Sequence, residues 1–142
     1  MCHATDQLFF TFDIEPTPQL RPRVSSRPYV RVYDPPKVKT FKNLLRSLAV
    51  NQYARPPLIG PLSVSLTFYR PVQKSISKTE RERRLSNQSK PVVKPDTDNY
   101  IKSTLDALNG ILWHDDSQIV KITGEKRYSE NGKIVITVTQ LD

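Results

Sequence analysis

A single cysteine, Cys2, leaves this 142-residue chain without an internal disulfide. With His3 it offers two metal ligands at most, near a chain end where fraying is the rule. Long apolar runs are missing too. No stretch approaches the roughly 18 to 20 apolar residues that cross a bilayer, and no charged N-terminal region leads into an apolar block of the secretory kind. These absences predict a soluble, cytoplasmic protein with no membrane partner. Hydrophobic residues make up only 37% of the chain, but they fall in patterned runs, which predicts a modest core instead of disorder. The length suits one ordinary domain and is too short for two, so residues 1–142 read as one domain without internal repeats.

Acidic residues are the remaining scarcity. Fourteen Asp and Glu face 22 Lys and Arg, for a net charge of +8 and a pI near 9.7. A surplus of cations attracts polyanions at long range, so nucleic acid is the leading partner. The acids are also unevenly placed. Residues 96–116 hold five Asp against one Lys, net −4, and the rest of the chain therefore carries +12. Two basic runs precede this island: residues 17–46 have eight Lys or Arg against one Asp, and residues 70–94 have eight against two Glu. Charge runs usually mean solvated surface. Two of them ahead of an acidic cluster favour phosphate contacts, since each neutralised phosphate releases counterions. Arg21, Arg23 and Arg27 are expected to track phosphates, followed by Lys74, Lys78, Arg81, Arg83 and Arg84.

Periodicity predicts the elements. Leu8 to Ile14 reads as a strand ended by Pro16 and Pro18. Residues 19–28 have no period and read as an extended loop, and Tyr29 to Tyr33 as a short strand. Asp34 before Pro35 reads as an N-cap with proline in the first turn, opening a helix to about Tyr53 whose core face is Phe41, Leu44, Leu45 and Leu48. Lys37, Lys39, Lys42 and Arg46 fill the rest of that helix. Residues 61–70 alternate as a half-buried strand. Ser77 and Glu80 form a capping-box pattern that allows a short exposed helix within a polar stretch. Asp98 to Leu108 reads as a second main helix with Ile101, Leu105 and Leu108 inward, stopped by Asn109-Gly110. Two strands end the chain, at 118–128 and 133–141, joined by a hairpin turn at Asn131-Gly132. The expected architecture is α+β (mixed α/β): one sheet of about four to five strands with two main helices packed on it.

The acids can now be placed. Asp96 and Asp98 stand two apart where an extended segment turns into the second helix, so their carboxylates can converge. An Asp at a helix start usually caps it, but one cap is enough and here there are two. Lys102 follows Asp98 by one turn and Asp106 follows Lys102 by another, an i, i+4, i+8 stripe. As surface ion pairs these would contribute only about 0.3 to 0.5 kcal/mol each; beside a carboxylate-bound metal the Lys102 ammonium would instead face a phosphate. Asp106 lies eight residues, roughly 12 Å, beyond Asp98, too far to share one ion, and is read as the partner of Lys102. Asp115 and Asp116 come after a short connection, which returns them near the helix start if helix and following strand pack antiparallel. Three or four carboxylates without His or Cys suit Mg²⁺, with Mn²⁺ as a substitute, better than zinc. Such a metal in a basic protein points to phosphodiester hydrolysis. Ile111, Leu112 and Trp113 read as core.

The block from Asp96 to Gln118 resembles the RusA family, Holliday junction resolvases common in phages and prophages. It holds Asp96, Asp98 and Asn99, a Lys at 102, Asp106-Ala107-Leu108, then Trp113, Asp115-Asp116 and Gln118. Arg21 to Val24 and Lys126 add looser likeness. The resemblance implies a RusA-like fold and catalysis by Asp96, Asp98, Lys102 and Asp116, with Mg²⁺ ligated by Asp96, Asp98 and Asp116. Asp115 is a further candidate ligand or a turn residue, and Lys126 a candidate DNA contact. It implies a homodimer making paired symmetric nicks in a four-way junction, in recombination and repair. Two other readings fit the residues: a DNA-binding protein in which the acids are caps and turns, and a nuclease acting on flaps or forks. The dimer surface is expected at a sheet edge or around Leu58, Ile59 and Leu112.

Overall fold

A computed structural model describes residues 7–142; the Cys2-His3 pair lies outside the described residues. The elements run β1 (Gln7–Phe12), β2 (Arg23–Ser25), β3 (Arg31–Tyr33), α1 (Pro36–Gln52), β4 (Leu62–Pro71), α2 (Lys78–Leu85), α3 (Thr97–Leu108), a 3-10 turn (Asp116–Gln118), β5 (Ile119–Ser129) and β6 (Lys133–Gln140). The main sheet has the order β1-β6-β4-β5, with β4 and β5 parallel and the other neighbours antiparallel. A second sheet holds only β2 and β3. The fold is thus mixed α+β as expected, with a third helix, α2, that buries none of its residues.

Alternation decides which sheet face is covered. Leu62, Val64, Leu66 and Phe68 of β4, Ile134, Ile136 and Val138 of β6, and Phe10 and Phe12 of β1 are buried, while the residues between them are Ser, Thr and other partly exposed groups. Period two places the buried set on one face, and α1 and α3 cover it. α1 contributes Val38, Phe41, Leu45 and Ala49; Leu44, expected inward, is half exposed. α3 contributes Tyr100, Leu105, Ala107 and Leu108, and the Tyr100 ring stacks on Phe68 at 5.2 Å. Ile111, Leu112 and Trp113 are core, as expected, and the Trp113 indole donates to Asn109 Oδ1 at 2.7 Å.

Three expectations about connections are corrected. The turn at Asn131-Gly132 does not close a hairpin, because β4 lies between β5 and β6 and the chain crosses over its end. Gly132 serves that crossing by closeness: a Cβ there would stand 2.8 Å from the Glu15 backbone. Residues 19–28 are not all loop, since Arg23–Ser25 pairs with Arg31–Tyr33. Asp34 does not cap α1. The N-cap is Pro35, without a side-chain bond, and the Asp34 carboxylate accepts from Lys42 at 2.7 Å and from Gln19 at 3.0 Å. Among the described residues no helix is long and apolar enough to cross a membrane.

Candidate active site

Lys94 and Pro95 lead the chain into α3, and β5 anchors that entry. The Lys126 ammonium donates to the carbonyls of Val93 and Pro95, at 3.0 Å each. Lys126 therefore acts here on the backbone that carries Asp96. The start of α3 sits directly over β5. A Cβ on Gly124 would meet Ile101 Cδ1 at 2.6 Å and Thr97 Cγ2 at 3.4 Å, so the small residue admits the helix.

Asp96 occupies the N-cap position of α3 with extended backbone, yet its side chain makes no capping bond. Asp98 stands in the first turn. Both are exposed, and among the described residues neither carboxylate has a hydrogen-bond or ion-pair partner. Lys102 is likewise exposed and unpaired among the described residues. It lines a cleft of about 580 Å³ with Gln19, Leu20, Arg21, Pro22 and Asn99. The Gln19 amide donates to the Asn99 carbonyl at 2.8 Å, which ties the Arg21 segment to this side of α3. The expected cations and acids thus adjoin one another around the first two turns of the helix.

Asp106 is not the partner of Lys102. Its carboxylate takes Lys42 of α1 at 2.6 Å, and Lys42 also holds Asp34. Burial alone would lower the Lys42 pKa, but the bonds to Asp106 and Asp34 outweigh it and raise the value above its ordinary 10.5. Asp34 is lowered, chiefly by the Lys42 hydrogen bond. This chain of contacts, Gln19 to Asp34 to Lys42 to Asp106, clamps the Arg21 segment, α1 and α3 together. The sequence pattern missed it because the i, i+4 spacing offered Asp106 a nearer partner on its own helix. Arg46 of α1 completes the clamp by donating to the Ala107 and Asn109 carbonyls at the end of α3, at 2.9 and 3.0 Å, where a cation suits the helix dipole.

Asp115 and Asp116 lie elsewhere. Helix α3 and strand β5 do run antiparallel, but the part of the chain that returns to the helix start is Gly124 to Lys126, in the middle of the strand. Asp116 precedes β5, beside Leu58 and Gly60, whose carbonyls accept from the Gln118 side chain. From Ile119 to Gly124 is five residues, so Asp116 stands on the order of 15 to 20 Å from Asp96. Asp115 is an N-cap that does cap: it accepts from the Ser117 amide at 3.1 Å, and Gln118 bonds back to the Asp115 amide at 3.0 Å. These Ser117 bonds hold its carboxyl below the usual value of 3.8. Asp116 has no side-chain partner among the described residues. No group of three or more His, Cys, Asp or Glu close enough to hold a metal occurs among the described residues. Around the start of α3, one chain offers two unpartnered carboxylates among the described residues, Asp96 and Asp98. That number suits Mg²⁺, which often takes one or two carboxylates and completes its shell with water and substrate phosphate, but it leaves Asp116 out.

Other cations fall into two groups. Arg23 and Arg27 are exposed on and beside β2, and Lys74 and Lys78 are exposed before and at the start of α2. Arg81, Arg83 and Arg84 are engaged within the protein: Arg81 with Glu130 at 3.9 Å, Arg83 and Arg84 with Glu80 at 3.7 and 3.1 Å, and Arg84 over the Tyr128 ring at 4.7 Å. Arg31 joins the exposed group although the basic-run argument does not single it out; its signal is the alternation of Arg with apolar residues begun at Arg21.

Residues 13–139 match the family model described as endodeoxyribonuclease RusA. The chain is also 35% identical over 139 residues to the uncharacterized protein YqaN of Bacillus subtilis (strain 168), covering 96% of this chain and 98% of that protein.

Proposed function

Because the chain belongs to the RusA endodeoxyribonuclease family, we propose that it resolves four-way (Holliday) junctions by paired symmetric nicks, as a Mg²⁺-dependent homodimer serving recombination and repair. The observation that carries this reading is the uncommitted carboxylate of Asp96, held at a helix start where capping would have consumed it, beside Asp98 and Lys102. Asp96 and Asp98 would hold the divalent ion. Bound there, the ion supplies Lewis-acid chemistry to the scissile phosphate and to the water that attacks it. Lys102, one turn on, places its ammonium towards the same phosphate and offsets the charge that gathers on it. Arg21, across the cleft from Lys102, holds the strand. Hydrolysis breaks one P–O bond and leaves ends that can be rejoined.

Asp116 enters this site from a second copy. Strand β5 is one of the sheet's two outer strands, paired with β4 on one side among the described residues, and it leaves Val120 and Ile122 exposed. Two such edges paired antiparallel about a two-fold axis run in opposite directions. Asp116 of the partner subunit then approaches the Gly124 to Lys126 region of the first, where Asp96 and Asp98 stand. Each copy lends an acid to the other, which would make nuclease activity depend on the dimer and match two cuts to two-fold symmetry. Ile59 is exposed near Asp116, while Leu112 is buried and unavailable to any such surface.

A mixing experiment tests this. Asp96→Asn and Asp116→Asn proteins are each expected to leave a synthetic four-way junction uncut in Mg²⁺. Co-expressed and mixed, they form heterodimers with one intact site, and single nicks should return. Absence of nicking from verified heterodimers rejects the shared site; full activity of either single variant rejects the residue assignment. Flap and linear duplex substrates in the same assay separate a junction resolvase from a flap or fork nuclease.

A further inference from the structure

The β2–β3 ribbon stands apart from the core. Its register pairs Arg23 with Tyr33, Val24 with Val32 and Ser25 with Arg31, and residues opposite each other share a face. One face therefore shows Val24 and Val32, 67% and 68% exposed. The other shows Arg23, Arg31 and Tyr33, with the Arg31 guanidinium 5.3 Å above the Tyr33 ring. At the tip, Tyr29 and Val30 are 65% and 74% exposed. Strand propensity accounts for the two paired valines. It does not account for Tyr29 and Val30, which precede β3 and pack against no core.

We propose that this ribbon is a wedge whose tip, Tyr29 and Val30, enters the branch point of the DNA and stacks against bases unpaired there; the proposal rests on the branched-DNA reading above. Charge selects the occupant. Residues 19–33 contain four Arg and no acid, a poor match for a second copy of a chain with net charge +8 and a good one for nucleic acid. Apolar side chains that penetrate DNA do so between base steps, and the energy needed is least where bases are already unpaired. A wedge thus favours a branch over a continuous duplex. Position supports the same use. The ribbon rises from Gln19 to Pro22, the segment that shares the cleft with Asn99 and Lys102, and it is braced at both ends by the Gln19 to Asp34 bond. From Arg23 to Ser25 the strand rises about 7 Å at roughly 3.3 Å per residue, about two base steps at about 3.4 Å each, and the turn at 26–30 carries the tip further. A phosphate near Lys102 is therefore within a few nucleotides of the tip.

The test uses a four-way junction carrying 2-aminopurine beside the branch point, with the full-length protein in Ca²⁺ for binding and Mg²⁺ for cutting. Parent protein should raise the fluorescence several-fold. The Tyr29→Ser/Val30→Ser variant, with every arginine kept, should bind within about threefold, fail to raise the signal and cut roughly tenfold more slowly. Tyr29→Phe should keep the signal. Equal brightening and equal cutting by the double variant overturn the wedge, and so does a change in its oligomeric state by sedimentation, which would make the ribbon a contact between copies. A parent that brightens the junction but never cuts it condemns the resolvase reading and spares the wedge.

Discussion

Asp96 and Asp115 occupy the same place in two different turns. Each is the last extended residue before a helical segment, and each is followed by another acid within two positions. Asp115 does what that place normally asks, closing a reciprocal box with Ser117 and Gln118. Asp96 does not, although the free amides of α3 lie ahead of it. After Asp115 the chain makes one short turn, and Gln118 reaches back to fix it; after Asp96 no Gln or Glu stands three residues on, only Asn99, and the Asp96 carboxylate makes no bond to the amides ahead of it. A cap position records where the backbone turns, and not whether the carboxylate is spent there. Asp96 keeps its charge available, so it is the member of the pair fit for a ligand.

Asp96→Asn should lower junction cleavage by about 10³-fold, the scale of losing a group that acts on transition-state charge, with the melting temperature unchanged because no capping bond is lost. A thermal scan and a single-turnover cleavage assay on one preparation read both. A fall in melting temperature with cleavage intact would move Asp96 into the class of Asp115.

The clamp at the far side of α3 bears on why the free acids hold their place. Lys42 is 12% exposed between Asp34 and Asp106. Lys42→Met should lower unfolding stability by about 1 to 2 kcal/mol, less than the roughly 3 to 5 kcal/mol of a fully buried pair, because Asp106 is 60% exposed and screened by water. The two shifts set the pH dependence. Asp34 is lowered, so its part is complete above 3.8 and fades as pH falls through the depressed value. Lys42 is raised, so its part is complete below 10.5 and fades as pH rises through the elevated value. The gap between parent and Lys42→Met in urea titrations should therefore be flat near neutrality and narrow at both extremes; a constant gap from pH 3 to 11 would assign the loss to packing alone.

How much the sequence made legible depends on how local each signal is. Strands β1, β4, β5 and β6 and helices α1 and α3 were readable because period and punctuation act within a few residues. The capping box at Ser77 was readable for the same reason, and Ser77 does accept from the Glu80 amide. Strand order was not. The Asn131-Gly132 turn looks the same whether it joins neighbours or crosses over β4, since the choice rests on β6 pairing with β4, from Tyr69↔Lys133 to Leu62↔Gln140, far away in sequence. The candidate site divides on the same line: Asp96, Asp98 and Lys102 come from one helix start and were found together. Placing Asp116 required knowing that α3 returns over the middle of β5, and the Lys42 bridge joins residues far apart in sequence.

Asp115 offers the smallest effect and the cleanest contrast. Asp115→Ala removes the acceptor for the Ser117 amide and should lower the melting temperature slightly, with junction cleavage within a few-fold of the parent. Acid should have a parallel effect, because its carboxyl is held below 3.8 by Ser117; the cap's contribution is complete above that value and fades as pH falls through the depressed one. Gln118 keeps its bonds to the Leu58 and Gly60 carbonyls in the variant, so the turn loosens without detaching and Asp116 stays on the same edge. If cleavage instead falls as steeply as in Asp96→Asn while the melting temperature holds, the cap is incidental, and Asp115 belongs with the free acids it was set against.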